Sequence, residues 1–277
     1  MKSNQSQISW LHWPDGRRAE TWSPFIGCSP VGEGCRNCWA RREEDTRFRH
    51  LGRCGKDWNG KSYSFNTGPM FQGDEALAKP LRWREPRTVF VCPRSDLFHE
   101  GVSDGQIRAV WEVMLDTPRH RYVVLTKRPG RMKDVLRRPM APTLPNVILG
   151  VSAWDQASAD KMIPDLLATP AACRAVSLEP LLGPVDLWDY IHDLPTDGIP
   201  ARLDWVIVGG ESAKPRRNAR PMHPDWVCEV RDDCEAAGVP WYLKQWGEWD
   251  HRGELVGTKA SGRRLDGLEY LQFPEGV

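Results

Sequence analysis

The sequence predicts an α/β protein in which parallel strands alternate with outer helices. Two observations support this prediction: short, almost continuously apolar runs, and helical stretches between them that have one apolar face. Such runs suit strands that are buried on both faces of a parallel sheet. The six clearest runs are residues 88–92, 121–126, 146–152, 174–179, 204–209 and 239–244. Together with a strand predicted to lead into Cys28, they favour a full or partial barrel, although an open doubly wound sheet has the same pattern.

Helical segments are predicted between these strands. Residues 104–116 carry apolar side chains three, one and three positions apart, starting at Ile107, and Ser103 precedes them as a predicted N-cap. Further helices are predicted at residues 36–51, 129–138, 155–168 and 224–237. Gly238 follows the last of them as a predicted C-cap.

The chain is expected to form one barrel domain over residues 1–250, followed by a peripheral C-terminal tail at 251–277. Its 277 residues suit a single unit of this kind. The stretches 53–87 and 182–202 have no clean periodicity. The first is interpreted as a long insertion and the second as a long connection.

Charge and hydropathy exclude several classes of protein. Lys and Arg number 38, Asp and Glu number 37, and the net charge is +1, which excludes a wholly basic nucleic-acid binder but permits a local basic groove. No run approaches the roughly 18 apolar residues of a membrane span. The N-terminal residues contain no apolar core of the signal-peptide kind. A cytoplasmic protein without a membrane partner is therefore predicted.

Three of the eight cysteines fall close together, in the spacing C-x6-C-x2-C of Cys28, Cys35 and Cys38. In a cytoplasmic chain, clustered thiols favour metal ligation over disulfides. The loop is rich in glycine and leads into a predicted helix, whose N-terminus favours the thiolate. Three thiolates are one ligand short of a closed tetrahedral site.

Three interpretations of this loop stay open at the level of the residues. A fourth ligand such as Cys54, Cys92 or His99 would complete a structural zinc site. Alternatively, the three thiolates would hold a [4Fe–4S] cluster whose fourth iron is open to a small molecule, or they are inert. The loop lies at the start of a predicted barrel, where active sites occur, and this position favours the cluster.

Several unusual short sequence motifs occur in order between about residues 9 and 249. They are residues 22–28, 34–40, 95–99, 125–129, 149–152, 177–184, 208–212, 220–224 and 244–248. Through these motifs the chain resembles the phage Gp37/Gp68-like family (DUF5131), a group related to radical S-adenosylmethionine (SAM) enzymes. The resemblance implies a partial TIM-type (β/α) barrel of the radical SAM kind, a [4Fe–4S] cluster and SAM. The first cysteine gap, of six residues, departs from the commonest radical SAM spacing of three.

The resemblance also implies a reaction. Cys28, Cys35 and Cys38 would bind three irons, and the fourth iron would chelate the amino and carboxylate groups of SAM. The reduced cluster would cleave SAM into methionine and a 5′-deoxyadenosyl radical, which abstracts hydrogen from a substrate. An electron donor such as flavodoxin or ferredoxin is then required.

Residues at the predicted strand ends receive the remaining roles. Those expected to contact SAM are Ser95, Asp96, Lys127, Ser152, Glu179, Gly209 and Gly210. Asp96 would accept a hydrogen bond from the SAM ammonium, or else cap a helix before Leu97, and Lys127 would meet the SAM carboxylate. The paired glycines would admit adenine, or else form a tight turn. Glu179, Glu211 and Lys244 are the predicted catalytic residues.

Two basic segments, residues 128–138 and 214–220, are either solvated surfaces or a phosphate-binding rim at the barrel mouth. A nucleic-acid base or nucleotide is therefore a candidate substrate, by analogy with barrels that modify or repair DNA with this cofactor. The competing prediction is a zinc-stabilised nucleic-acid-binding protein without redox chemistry.

Overall fold

The computed structural model describes residues 5–43, 68–137, 142–192 and 202–277. The strands are β1 (Arg18–Trp22), β2 (Phe25–Ile26), β3 (Met70–Phe71), β4 (Arg87–Val91), β5 (Arg121–Thr126), β6 (Val147–Ala153), β7 (Cys173–Leu178), β8 (Trp205–Gly209), β9 (Trp241–Gln245), β10 (Arg264–Leu265) and β11 (Leu268–Glu269). The α-helices are α1 (Trp39–Glu43), α2 (Asp74–Leu77), α3 (Asp104–Leu115), α4 (Pro129–Leu136), α5 (Gln156–Leu167), α6 (Trp188–Ile191), α7 (Pro224–Ala237) and α8 (Thr258–Ser261).

Seven strands form one parallel sheet in the order β1-β4-β5-β6-β7-β8-β9. The sheet curls into a half-barrel, which confirms the predicted α/β class and partial barrel. The order follows the chain apart from the short antiparallel pair β2–β3, so each crossover brings the chain to the neighbouring strand. All carboxyl ends of the seven strands therefore meet at one edge.

The two faces of the sheet carry different cores because side chains alternate along each strand. In β5, Tyr122 and Val124 belong to the larger core, which includes the buried faces of the helices. Val123, between them, faces a second core on the inner side of the half-barrel. This two-sided burial explains why the strands are nearly continuous apolar runs in the sequence.

The inner core is filled by chain segments from both ends of the sequence. Trp10 packs edge-on against Trp205, with ring centroids 6.1 Å apart, and Trp13 lies 5.7 Å from the same ring. Phe273 lies 4.8 Å from Trp13. The backbone carbonyl of Val277 accepts a hydrogen bond from Arg121 Nη2 at 2.7 Å. Residues of the C-terminal segment therefore form part of the packing inside the half-barrel.

The helix termini predicted from the sequence are found in place. The Ser103 side chain accepts a hydrogen bond from the Gln106 backbone and forms a capping box with it. Gly238 closes α7 in the left-handed conformation, at φ 64°.

Other predicted boundaries differ from the structure. The first strand ends at Trp22 rather than leading into Cys28, because the short strand β2 pairs with β3 before the cysteine loop begins. Helix α1 begins at Trp39 rather than at residue 36, and the predicted extension beyond residue 43 lies outside the described residues. Of the predicted insertion, residues 53–67 also lie outside them, and β3 and α2 occupy part of the remainder.

Candidate active site

A cavity of about 420 Å³ lies at the carboxyl ends of the half-barrel strands. Its volume falls within the range of small-molecule pockets. Its apolar lining includes Ile8, Trp10, Phe90 and Leu125. Eleven of the residues predicted from the sequence also line it: Cys28, Cys35, Cys38, Ser95, Asp96, Lys127, Ser152, Glu179, Gly210, Glu211 and Lys244.

The cysteine loop, residues 27–38, lies against the indole of Trp154 just beyond the end of β6. A Cβ atom at Gly32 or Gly34 would come within 2.6 Å or 2.5 Å of that ring. The loop can therefore lie flat on Trp154 only because these two positions have no side chain. This contact within the protein explains two of the glycines in the loop.

Arg128, directly after β5, holds the first end of the loop. Its guanidinium donates hydrogen bonds to the Ser29 carbonyl at 3.0 Å and to Ser29 Oγ at 2.9 Å. Its Nη1 atom lies 3.7 Å from Cys28 Sγ and forms an ion pair with Asp96 at 3.1 Å. Burial raises the pKa of the Cys28 thiol to about 11, with Asp96 adding to the effect and Arg128 opposing it. Metal binding at Cys28 must therefore displace a proton.

Asp96 is almost completely buried, and protein donors surround both of its carboxylate oxygens. Oδ1 accepts hydrogen bonds from the Phe98 backbone at 3.0 Å and from Thr126 Oγ1 at 2.7 Å. Oδ2 accepts from the Lys127 backbone and from Arg128, each at 3.1 Å. These bonds join the segments that follow β4 and β5, and the bond to Phe98 caps a turn, not the helix that the sequence offered as the alternative.

His99 forms a hydrogen bond with the side chain of Ser29. Its Nδ1 atom accepts a hydrogen bond from the Gly101 backbone at 2.9 Å, so its Nε2–H donates to Ser29 Oγ at 2.7 Å. Burial and the nearby charge of Arg128 lower the pKa of His99, which keeps the ring neutral at pH 7. Both ring nitrogens are thus engaged within the protein.

Arg220 and Glu211 hold the second end of the loop. Arg220 donates to the Glu33 carbonyl at 2.9 Å and forms a two-pronged ion pair with Glu211. Asn37, between the second and third cysteines, donates to Glu211 Oε2 at 2.9 Å and to the Asn218 carbonyl at 3.0 Å. Burial alone would raise the pKa of Glu211, but the hydrogen bonds from Arg220 and Asn37 outweigh it and lower that pKa.

Glu179 and Lys244 form an ion pair inside the cavity. Lys244 Nζ donates to Glu179 Oε1 at 2.6 Å, and Ser177 Oγ donates to Oε2 at 3.0 Å. The Lys244 side chain is 26% exposed and the Glu179 side chain 17% exposed, so a bound molecule can reach both of them.

The glycine pair after β8 is required by packing within the protein. A Cβ atom at Gly210 would lie 1.8 Å from the Trp246 carbonyl oxygen, and one at Gly209 would lie 2.8 Å from Glu179 Oε1. The chain after β9 therefore passes directly over Gly210. This is the tight-turn alternative that the sequence left open for these two residues.

The sequence pattern of the DUF5131 family, described as proteins of unknown function, matches residues 5–274. The chain belongs to the DUF5131 family. It matches no curated protein and no solved structure. The described helices of this DUF5131 protein include none with the length and apolar character of a membrane span.

In this DUF5131 protein the three loop cysteines are free thiols that face one cavity. In the described parts of the chain, no three His, Cys, Asp or Glu side chains are already grouped in a way that could hold a metal ion. Among the candidate fourth ligands, Cys92 is buried and lines the same cavity, in the left-handed conformation at φ 53°. Cys54 lies outside the described residues.

Sequence reasoning missed the contacts of four residues that shape the cysteine loop, namely Trp154, Asn37, Arg128 and Arg220, and it noted the two arginines only as members of the basic segments. Each lies inside or close to one of the unusual sequence motifs, and this position was the available signal that the residue has a role. Their contacts join positions as much as 187 residues apart, as between Arg220 and Glu33, so no local pattern could predict them.

Proposed function

We propose that this DUF5131 protein is a radical SAM enzyme in which Cys28, Cys35 and Cys38 hold a [4Fe–4S] cluster. One observation carries the proposal: three free thiols from a single loop line one cavity at the carboxyl ends of parallel strands. Barrel enzymes have their active sites at this end. The resemblance of the sequence motifs to those of a radical SAM-related group supports the same chemistry.

The donor set fits such a cluster. Cysteine thiolates are the usual ligands of iron–sulfur clusters, and three of them leave one iron open. The guanidinium of Arg128 beside Cys28 supplies positive charge that partly offsets the burial and the Asp96 charge that raise the pKa of this thiol. The loop is held at both ends by buried or half-buried ion pairs, so its position relative to the cavity is fixed.

When bound, a [4Fe–4S] cluster with SAM supplies reductive cleavage of the SAM C–S bond and a 5′-deoxyadenosyl radical that abstracts hydrogen. The chain's own residues bind and orient the reactants. Lys127 and Ser152 offer a cation and a hydroxyl to SAM from the ends of neighbouring strands. Trp10 and the inner core below it keep water from entering the cavity from beneath.

Glu179 and Lys244 are proposed to act on the substrate. Their ion pair holds a proton at Lys244 Nζ, which can be presented to a substrate oxygen or nitrogen. Glu211, although predicted to be catalytic, has both carboxylate oxygens engaged by Arg220 and is proposed to position the cysteine loop.

Anaerobic reconstitution with iron and sulfide tests the proposal. We expect a brown protein with about four irons per chain, which forms 5′-deoxyadenosine from SAM when dithionite replaces the flavodoxin or ferredoxin donor. Cys35→Ala should lose both properties. Cys228→Ala, on the outer helix α7, should keep both and serves as the matched control.

Two results would contradict the proposal. A colourless protein that retains one tightly bound zinc would instead support the zinc-stabilised nucleic-acid-binding protein. Formation of 5′-deoxyadenosine by the Cys35→Ala variant would show that the ligand assignment is wrong.

A further inference from the structure

We infer that the mouth of the cavity binds single-stranded nucleic acid through a surface that we call the basic rim. The rim consists of residues 33–43, which include the end of the cysteine loop, and residues 212–220, which follow β8. The inference rests on the proposed function in naming the substrate class of that same site. Binding at the rim can nevertheless be measured independently of the reaction.

Hydrogen bonds join the two rim segments into one surface, although they are about 180 residues apart in the chain. Asn37 Nδ2 donates to the Asn218 carbonyl at 3.0 Å, and Arg42 Nη1 donates to the Ser212 carbonyl at 3.1 Å. Asn37 and Ser212 both line the cavity. The rim therefore borders the cavity directly.

The rim concentrates positive charge in a nearly neutral protein. It contains seven Lys and Arg residues and two Glu residues, a net charge of +5 in a chain of net charge +1. The seven are Arg36, Arg41, Arg42, Lys214, Arg216, Arg217 and Arg220. Glu33 is paired with Arg36 at 3.8 Å and with Arg220 at 3.1 Å. Just outside the two segments, Glu211 pairs with Arg220 and Glu248 pairs with Arg216 at 3.5 Å, so the surface keeps a net charge of +3 when these two carboxylates are counted. A local field of this kind attracts polyanions.

An exposed tryptophan lies among these cations. Trp39 is the first residue of α1, follows Cys38 and lines the cavity, yet 40% of its surface is open to solvent. Most of the large aromatic side chains in the half-barrel are instead packed in the two cores. An indole exposed between cations at a cavity mouth is a stacking surface for a base.

This combination favours a nucleic-acid strand with accessible bases. Phosphates would contact the exposed cations, which include Lys214 and Arg217, while one base stacks on Trp39. A duplex keeps its bases stacked inside and would not use the indole. A run of carboxylate side chains would satisfy the charges but offers no flat ring to Trp39.

Fluorescence anisotropy with a labelled oligothymidylate of about 12 nucleotides tests the charge contribution. The reconstituted protein is compared with Lys214→Ala/Arg217→Ala and with Arg108→Ala/Lys161→Ala. The control pair removes the same charge from exposed positions on α3 and α5. Loss of two phosphate contacts should reduce the slope of log K against log salt by about 1.4. The control should retain the slope of the unaltered protein.

Trp39→Ala tests the stacking contribution in the same assay. We expect the affinity to fall between roughly fivefold and a hundredfold with the salt slope unchanged, and Trp39→Phe to restore most of the loss. Equal salt slopes for the two double variants would overturn the inference. So would equal binding of polyglutamate, or no effect of Trp39→Ala, because either would show a general polyanion surface.

The same samples separate the two proposals. Iron content and 5′-deoxyadenosine formation are measured on the two double variants, whose substitutions lie outside the cavity lining, and should remain at the level of the unaltered protein. Oligonucleotide binding without 5′-deoxyadenosine formation would support the rim and contradict the radical SAM proposal. The reverse result would contradict the rim alone.

Discussion

The two ends of the cysteine loop are fastened by ion pairs of the same kind in very different surroundings. At the first end, Arg128 and Asp96 each expose only 7% of their side chains. At the second end, Glu211 exposes 4%, but Arg220 exposes 25% and reaches Glu33 on the surface. The first pair belongs to the protein interior, and the second lies at the border between cavity and solvent.

This difference predicts different costs for losing each anchor. A buried ion pair that loses one partner leaves an uncompensated charge with no access to water. Near the surface, water and neighbouring donors replace part of the lost interaction. Cys28 should therefore be held by a rigid anchor, and Cys35 and Cys38 by one that tolerates change.

The largest effect is expected from Arg128→Ala. Removing the guanidinium leaves the buried Asp96 carboxylate with three hydrogen bonds but no cation, and it also frees Ser29 and Glu100, so the free energy of unfolding should fall by about 3–5 kcal/mol. Urea unfolding measures this change. Arg131→Ala is the matched control, because its ion pair with Asp104 is more exposed and should contribute less than about 1 kcal/mol. Equal losses for the two variants would contradict the interior anchor.

Arg220→Ala should have an intermediate effect, a loss of about 2 kcal/mol in the free energy of unfolding. Glu211 keeps hydrogen bonds from Asn37 and from the backbone at position 220. Reconstituted Arg220→Ala should still bind more iron per chain than Arg128→Ala does. The opposite order of iron content would reverse the comparison between the two ends.

Asn37→Ala should cost about 1 kcal/mol, because one neutral amide is lost from a half-exposed network. The structure predicts that this loss is not additive with that of Arg220→Ala, since both donors share Glu211 Oε2. A double-mutant cycle by urea unfolding measures the coupling. Strict additivity would mean that the two side chains act independently.

The smallest effect is expected when a change in pH alters the charge of Glu211, at the second end of the cysteine loop. The pKa of Glu211 is lower in the folded protein than its ordinary value of 4.5, so its contribution is complete above that pH. The contribution should be lost as the pH falls below 4.5 and Glu211 takes up a proton. The difference in unfolding free energy between the unaltered protein and Glu211→Gln should therefore be constant from pH 7 to 5 and shrink below 4.5. A difference that grows in acid would contradict the assigned direction.

Much of the fold could be predicted from the sequence because buried parallel strands carry their own signature. The run 204–209 anticipated β8 almost to the residue, and Ser103 and Gly238 marked helix ends by local hydrogen bonding and backbone geometry. The filling of the half-barrel by Trp10 and Phe273 had no local signal. Their contacts depend on where distant segments meet after the sheet has curled.

The candidate site was predictable in its residue types and less so in their partners. Cysteine spacing and strand-end positions indicated eleven side chains that line one cavity in the structure. The sequence could not show that the protein itself occupies both oxygens of Asp96, or that the Trp246 backbone covers Gly210. Arg128 and Arg220 were assigned only to basic segments, because an arginine beside a strand end looks the same in the sequence whether it points to solvent or to a carboxylate.

Electron paramagnetic resonance of the reduced, reconstituted protein tests the central claim most directly, when spectra are recorded before and after SAM is added. If three thiolates leave one iron open, a [4Fe–4S] signal should appear and should change when SAM binds that iron. A cluster signal that SAM leaves unaltered would contradict an open iron at Cys28, Cys35 and Cys38, as would a protein that shows no cluster signal.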